Sequence, residues 1–208
     1  MYLELLLQNP SYQNEEIIIV DGDNSSTIKN IKNKNVLKID SLKGRANQMN
    51  EGARLASGDI LLFLHADTIL PDNAFELIRK SFENNQIKAG AFDLSFTNNS
   101  FAFKIIAFTA SFRSRLTRLP YGDQAIFIKK EIFEAIGKYE NISLMEDVNL
   151  MQKLKNVKCK IKILSAKVIT SSRKWEDKGI VYTTLRNWVL ISLYFCNINP
   201  NKLEKYYK

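Results

Sequence analysis

The sequence predicts an α/β fold, with a largely parallel sheet covered by helices. Two short runs rich in isoleucine and leucine, at residues 16–20 and 60–64, have the composition of strands buried on both faces. Segments with helical patterning alternate with such runs along the first half of the chain, as in parallel sheets. The two runs are followed by Asp21 and by Asp67. We therefore expect a binding cleft at the carboxyl ends of these strands.

The elements of the first half are inferred from apolar runs and from turn-forming residues. Gly58 and Asp59 precede the central run, and Pro71 lies in the first turn of the helix after it. In order, we predict a helix at 2–8, strands at 16–20 and 36–39, a helix at 44–56, a strand at 60–64 and a helix at 71–82. An initial helix is unusual, since sheets of this kind usually begin with a strand.

The second half contains strands and helices in a less regular order. We predict a strand at 89–96, a helix at 101–119, a strand at 125–128, a helix from 131, a helix at 144–156, a strand at 158–170, and terminal helices at 179–195 and 200–207. At 208 residues the chain suits one domain with an appendage. We divide it into a catalytic domain at 1–178 and a helical appendage at 179–208.

The composition excludes several classes of protein. The chain is 45% hydrophobic and 25% charged, as in soluble globular proteins, and no uncharged run approaches the ~18 residues that a membrane span needs. Its formal net charge of +8 suits an anionic partner, whether a nucleotide, a nucleic acid or an acidic membrane surface. No recognised nucleic-acid-binding motif occurs, so we expect no nucleic-acid partner.

The scarce residue types exclude several kinds of active site. His65 is the only histidine, and Cys159 and Cys196 are the only cysteines. Their spacing does not suit a zinc site, and no Gly-x-Ser-x-Gly elbow accompanies the histidine. Neither a P-loop nor a Gly-x-Gly-x-x-Gly motif occurs. Two distant cysteines form no disulfide framework, so we expect a reducing, cytoplasmic location.

Three aspartates mark the candidate chemistry, because each follows or opens a predicted buried element: Asp21, Asp67 and Asp147. Mg²⁺ is usually bound through one or two carboxylates together with the phosphates of a substrate. Asp67 suits that role, and the surplus of lysine and arginine suits a ligand that carries phosphate. Alternatively, Asp67 only stabilises a turn or caps a helix before Pro71, and the residues alone leave both interpretations open.

Five motifs resemble, in sequence order, those of the family 2 glycosyltransferases, which have the GT-A fold. The motifs are IIIVDGDNSST at 17–27, KGRANQMNEGARLASGDILLFLHADTILP at 43–71, AGAFDLSF at 89–96, YGDQAIFIKKEIFEAIGKY at 121–139 and LMEDVNLMQKLK at 144–155. More closely, the chain resembles a small bacterial branch labelled radical-SAM/selenodomain-associated or arsenosugar-biosynthesis glycosyltransferases. The motifs cover most of the chain, so their joint occurrence is more specific than any one of them.

The resemblance implies a set of donor-binding residues. Asp21 would contact the base or ribose of a nucleoside diphosphate, and Arg45 would lie near the diphosphate or base. Asp67 matches the last acid of the family's Asp-x-Asp motif and would hold a divalent cation, Mn²⁺ or Mg²⁺. The first acid of that motif is replaced by His65, which is either a ligand or a buried histidine. The implied donor-binding residues are Asp21, Arg45, Asn50, Ala66 and Asp67.

The resemblance also implies an acceptor side and a catalytic base. Asp147 matches the base that removes the proton of the acceptor hydroxyl. Arg173 and Trp175 resemble a reduced form of the family's Gln-x-x-Arg-Trp element. The residues implied on the acceptor side are Gly122, Asp123, Gln124, Glu146, Arg173 and Trp175. Alternatively, Glu146 and Asp147 are first-turn acids that complement the helix dipole, and Trp175 is a packing residue.

These implied roles predict an inverting, metal-dependent glycosyltransferase that moves a sugar from a nucleotide donor, expected to be UDP-linked, to an acceptor hydroxyl. The alternatives are a catalytically impaired nucleotide-binding module of the same fold and a nucleotidyltransferase. Family members open with an inner strand that this sequence does not show. We therefore expect residues 1–178 to form a GT-A domain lacking its first strand and to bind nucleotide weakly.

Aromatic residues are concentrated in two segments. The last two predicted helices carry Trp188, Tyr194, Phe195, Tyr206 and Tyr207 among lysines. This composition is compatible with peripheral membrane contact or a lipid-linked acceptor, while packing on the sheet and a homodimer contact are the alternatives. The basic, aromatic run at 101–119 is either core with solvated arginines or an acceptor surface.

Overall fold

The computed structural model describes residue 12, residues 14–23, residues 28, 31 and 33, and residues 36–207. The helix predicted at 2–8 lies outside these residues. Within them the predicted α/β fold class is confirmed. The strands are β1 (Ile17–Asp21), β2 (Val36–Asp40), β3 (Ile60–Phe63), β4 (Thr68–Ile69), β5 (Ile87–Phe96), β6 (Ile126–Lys129) and β7 (Lys160–Thr170).

The helices cover the sheet and extend beyond it at the C-terminal end. They are α1 (Arg45–Leu55), α2 (Ala74–Phe82), α3 (Phe101–Thr117), α4 (Lys130–Ala135), α5 (Glu146–Asn156), α6 (Arg173–Lys178), α7 (Ile180–Phe195) and α8 (Pro200–Tyr207), with a 3₁₀ turn at Gly122–Gln124. The predicted helix start at 71 is wrong. Residues 71–73 form a turn in which the Pro71 carbonyl accepts a hydrogen bond from the N–H of Ala74, where α2 begins.

The strands form two sheets of mixed direction. Strands β1 and β2 pair in parallel, and a five-stranded sheet has the order β3-β6-β5-β7-β4. Within it β5 and β7 are parallel, whereas β6 is antiparallel to both of its neighbours and β4 is antiparallel to β7. The expected parallel pairing is therefore found in β1–β2 and β5–β7, and the rest of the sheet is antiparallel.

Both faces of the five-stranded sheet are packed with apolar side chains, in keeping with the two-residue period of a strand. Leu61 and Phe63 of β3 belong to a cluster with α1, α4 and α5. Ile60 and Leu62, which point the opposite way, pack in a second cluster with α2 and α3. This two-sided burial explains why β3 appears in the sequence as an unbroken apolar run.

A cavity of about 570 Å³ separates β1 from β3 and is lined by apolar residues of both strands. The carboxylate of Glu16 accepts hydrogen bonds from the N–H and hydroxyl of Ser57, so the two strands begin beside each other. In the described part of the chain, β1 pairs only with β2 and β3 only with β6. The cavity thus lies between two sheet edges, and its lining extends to Arg45 and His65.

The C-terminal helices pack mainly near the start of α5. Leu190 of α7 and Leu203 of α8 form a separate apolar cluster with Leu144. The hydroxyl of Tyr194 donates a 2.9 Å hydrogen bond to Gln152 of α5. The division of the chain at residue 178 stays a prediction. Among the described residues, the helices all fall short of the length and apolar character that crossing a bilayer requires.

Candidate active site

The turn after β3, the 3₁₀ turn and the start of α5 meet at one point. Their approach is closest at Gly122, where a Cβ atom would lie 2.9 Å from Nε2 of His65 and 3.4 Å from Oδ2 of Asp147. A larger residue at this position would displace the imidazole. Residues from three separate sequence motifs therefore border one cleft.

The carboxylate of Asp147 is held in place by backbone N–H groups. Its Oδ2 accepts a 2.6 Å hydrogen bond from Gly122, and its Oδ1 accepts one of 2.7 Å from Val148. Met145, directly before α5, has a φ of 65°, so the chain reverses its local direction just before the helix. Asp147 is half-buried. This carboxylate is both fixed in orientation and accessible from the cleft.

Glu146 is paired with Arg45 and lies almost fully inside the protein. Nε of Arg45 is 2.7 Å from Oε1 of Glu146, and its Nη2 is 3.3 Å from Oε2. Burial and the negative charge of Asp147 raise the pKa of Glu146 to about 7, although the positive charge of Arg45 opposes the rise. Glu146 is only 1% exposed, so its carboxylate holds Arg45 from inside the protein. The Arg45 side chain remains 37% exposed and can reach a ligand.

His65 has a buried ring nitrogen that lies close to Gly122. Burial lowers the pKa of His65, and the positive charge of Arg45 lowers it further, while the charges of Asp147 and Asp67 oppose the shift. Nε2 of His65 is buried and, among the described residues, has no hydrogen-bond partner. A neutral imidazole with a free nitrogen suits a hydrogen bond to a ligand.

Asp123 is a second polar side chain aimed at the same point. Burial and the negative charge of Asp147 together raise the pKa of Asp123 to about 6. Its Oδ1 atom is buried without a partner in the described part of the chain. The opposing charge comes from Arg113 of α3, whose guanidinium carbon lies 3.4 Å from the centroid of the Tyr121 ring. Sequence analysis did not assign Arg113 to the site.

Ala66 and Asp67 lie at the exposed rim of the cleft, between β3 and β4. The charge of Asp67 acts on both His65 and Asp123, so its carboxylate borders the same space. Asp21, at the end of β1, is buried, and its Oδ1 accepts a 2.9 Å hydrogen bond from the N–H of Asp23. Both aspartates thus follow strand ends, as the sequence predicted.

Two predicted site residues are engaged inside the protein. The side chain of Asn50 donates a 2.9 Å hydrogen bond to the carbonyl of Tyr139 and accepts one of 3.1 Å from its N–H. Gln124 is fully buried, with its Oε1 accepting from the Ser114 hydroxyl and its Nε2 donating to the Phe92 carbonyl. Both side chains thus support the backbone around the site, and their predicted places on the donor and acceptor sides stay predictions.

Helix α6 carries the predicted acceptor-side residues Arg173 and Trp175. Trp175 packs its ring 5.0 Å from that of Phe96, which favours the packing role over ligand contact. Arg173 is exposed. The charge of Lys174 reaches His65 and lowers its pKa. Sequence analysis missed Lys174, because nothing in the pattern distinguishes it from the other lysines and arginines.

A comparison with known protein families gives a match, and its range includes β1, β2, the turn after β3 and the 3₁₀ turn. A profile described as Glycosyl transferase family 2 matches residues 2–139, which is more than half of the chain. Asp147 lies beyond the matched range. A search of curated proteins gives no match.

Proposed function

Because the chain belongs to glycosyl transferase family 2 and is therefore a glycosyltransferase by family, we propose that it transfers a sugar with inversion from a UDP-linked donor to an acceptor hydroxyl. The observation that supports this best is the carboxylate of Asp147, fixed by Gly122 beside the cleft. The residues proposed for donor binding, acceptor binding and proton transfer all lie around this cleft.

Asp147 is proposed as the general base. It would accept the proton of the acceptor hydroxyl as that oxygen forms a bond to the anomeric carbon of the donor. The bond between the anomeric carbon and the diphosphate oxygen breaks at the same time, and its electron pair leaves with the diphosphate. The N–H of Gly122 keeps the carboxylate oriented for this step, because it occupies Oδ2 from the protein side.

Asp67 is proposed to hold a divalent cation shared with the donor. Mg²⁺ and similar cations usually take one or two carboxylates together with phosphate oxygens. Within the described residues, no three His, Cys, Asp or Glu side chains are grouped as a metal site, so the diphosphate would supply several of the ligands. Such a cation, Mn²⁺ or Mg²⁺, would stabilise negative charge on the leaving diphosphate.

The donor is proposed to lie between the ends of β1 and β3. Asp21 would contact the base or ribose, and the exposed part of Arg45 would face the diphosphate. The cavity between the two strands reaches this end of the sheet, where Arg45 and His65 belong to its lining.

The acceptor is proposed to enter on the side of Gly122, Asp123 and Arg173. Asp123 and His65 each have a buried polar atom without a hydrogen-bond partner among the described residues, and such atoms suit a hydroxyl-bearing compound. The narrower resemblance to the radical-SAM-associated branch, the cytoplasmic location and a lipid link on the acceptor stay predictions.

A donor screen that identifies the leaving product tests this function. The protein would be incubated with UDP-sugars and Mn²⁺, with water as the acceptor, and the nucleotide product would be separated by chromatography. We expect UDP to be released. Release of pyrophosphate from a nucleoside triphosphate and sugar phosphate would instead indicate a nucleotidyltransferase. Donor binding without release of any product would indicate an impaired nucleotide-binding module.

A further inference from the structure

Helix α3 exposes its largest apolar side chains and buries small ones. The buried positions Ala107, Ser111 and Ser114 pack toward the sheet together with Phe103. The opposite side carries five large residues that are between 48% and 79% exposed, spaced three or four residues apart so that they share one side of the helix. We call this surface the α3 outer face; its residues are Phe101, Ile105, Phe108, Phe112 and Leu116.

The segment that carries the α3 outer face contains cations and no acids. No aspartate or glutamate occurs from Asn98 to Gly122. Lys104 and Arg118 are exposed near the two ends of the helix. Two further cations are already engaged, since Arg115 pairs with Asp93 and Arg113 stacks on Tyr121. The apolar stripe therefore lies between exposed cations without a balancing acid in this segment.

Helix α7 also exposes apolar side chains in a segment without acids. Ile180, at its start, packs in the apolar cluster that contains Phe103 and Ala107 of α3. Beyond it α7 exposes a further set of apolar and aromatic side chains, and no acid occurs from Gly179 to Lys202. These exposed residues are Val181, Tyr182, Leu185, Trp188 and Val189.

We propose that the α3 outer face docks on the surface of an anionic lipid bilayer. Aromatic and aliphatic side chains flanked by cations match the layered chemistry of such a surface, in which anionic headgroups border acyl chains. A second copy of this chain is a poorer partner, because a symmetric contact between two α3 helices would bring the exposed cations Lys104 and Arg118 of one copy close to those of the other. Docking does not depend on the proposed reaction.

Vesicle sedimentation tests the proposal. Wild-type protein would be mixed with vesicles of phosphatidylcholine alone and with vesicles that also contain phosphatidylglycerol. We expect binding to the anionic vesicles that weakens when salt is added. The variant Phe108→Ser/Phe112→Ser, which removes two stacked and exposed rings, should bind at least about tenfold more weakly. The matched control Leu37→Ser/Val157→Ser removes two exposed apolar residues elsewhere and should bind like the wild type.

Three outcomes would overturn the proposal. These are no binding to anionic vesicles, equal binding to neutral vesicles, and binding that the Phe108→Ser/Phe112→Ser variant retains. Sedimentation velocity without lipid tests the other occupant. If the wild type and the control variant are dimers and Phe108→Ser/Phe112→Ser is a monomer, the α3 outer face binds a second copy of the chain. UDP release from the donor, measured without vesicles, should be unchanged in the variant, so failure of docking and failure of the proposed reaction are distinguishable.

Discussion

The N–H of Gly122 donates a 2.6 Å hydrogen bond to Oδ2 of Asp147, and the same glycine leaves just enough room for the imidazole of His65. One residue thus fixes the proposed base and sets its distance from the turn after β3. The dependence of the site on this position leads to the first prediction.

Gly122→Ala should reduce turnover by about tenfold to a hundredfold, because its Cβ would lie 2.9 Å from Nε2 of His65 and force a displacement in the cleft. The measurement is the rate of UDP release at saturating donor. Gly58→Ala is the matched control, since the nearest atom to its Cβ would be 3.8 Å away. Equal activity of the two variants would show that the close approach at Gly122 is irrelevant.

Arg45→Met should lower the free energy of unfolding by about 2 kcal/mol, because it leaves the carboxylate of Glu146 buried without its counter-charge. The partial exposure of Arg45 keeps this figure below that of a fully buried pair. Arg54→Met, which breaks the solvent-exposed pair with Glu51, should change the free energy of unfolding far less than Arg45→Met does. Urea denaturation measures both.

The double variant Arg45→Met/Glu146→Gln provides the control for this pair. Neutralising Glu146 removes the unpaired charge, so the double variant should be more stable than Arg45→Met alone. A double variant whose loss equals the sum of the two single losses would contradict the pairing.

Asp123 should make stability depend on pH between about 4 and about 6. Burial raises its pKa in the folded protein above the ordinary value of 3.8, to about 6. In this window the folded state binds more protons at Asp123 than the unfolded state does. Its contribution to the free energy of unfolding is therefore present at low pH and falls as pH rises, by up to about 3 kcal/mol. Asp123→Asn should remove that part of the slope in urea midpoints measured across the window, and an unchanged slope would refute the assignment.

Asp67→Asn should weaken UDP binding by at least about tenfold in the presence of Mn²⁺ and leave it unchanged in EDTA, because the carboxylate would act through the cation. Titration calorimetry with and without Mn²⁺ measures the difference. The control is Asp59→Asn, an exposed acid that precedes β3. If the wild-type protein binds UDP with the same affinity with and without Mn²⁺, the proposed role of Asp67 is contradicted.

The fold was predictable where local patterns specify it. The predicted strands at 36–39 and 60–64 agree closely with β2 and β3, because their apolar runs are short and bounded by turn residues. Strand β4 was missed, since a two-residue strand has no period to detect. The antiparallel direction of β6 was also missed, because it depends on chain connections that a local pattern does not contain.

The sequence indicated which acids belong to the candidate site, but it did not indicate the hydrogen bonds that the neighbouring side chains form. Asp67 and Asp147 could be located from the ends of apolar runs and from the family resemblance. The bonds of Asn50 to Tyr139 and of Gln124 to Phe92 cross many residues of sequence, so no local pattern indicates that these amides face inward. Arg113 was missed for a similar reason: its role depends on where α3 packs.

The most direct test of the central claim is the rate of UDP release by Asp147→Asn, compared with Asp59→Asn as the control. Loss of the base should reduce turnover by about a hundredfold or more and leave the affinity for the UDP-sugar unchanged, since Asp147 would act on the acceptor proton and not on the donor. Turnover by Asp147→Asn equal to that of the control would contradict the account.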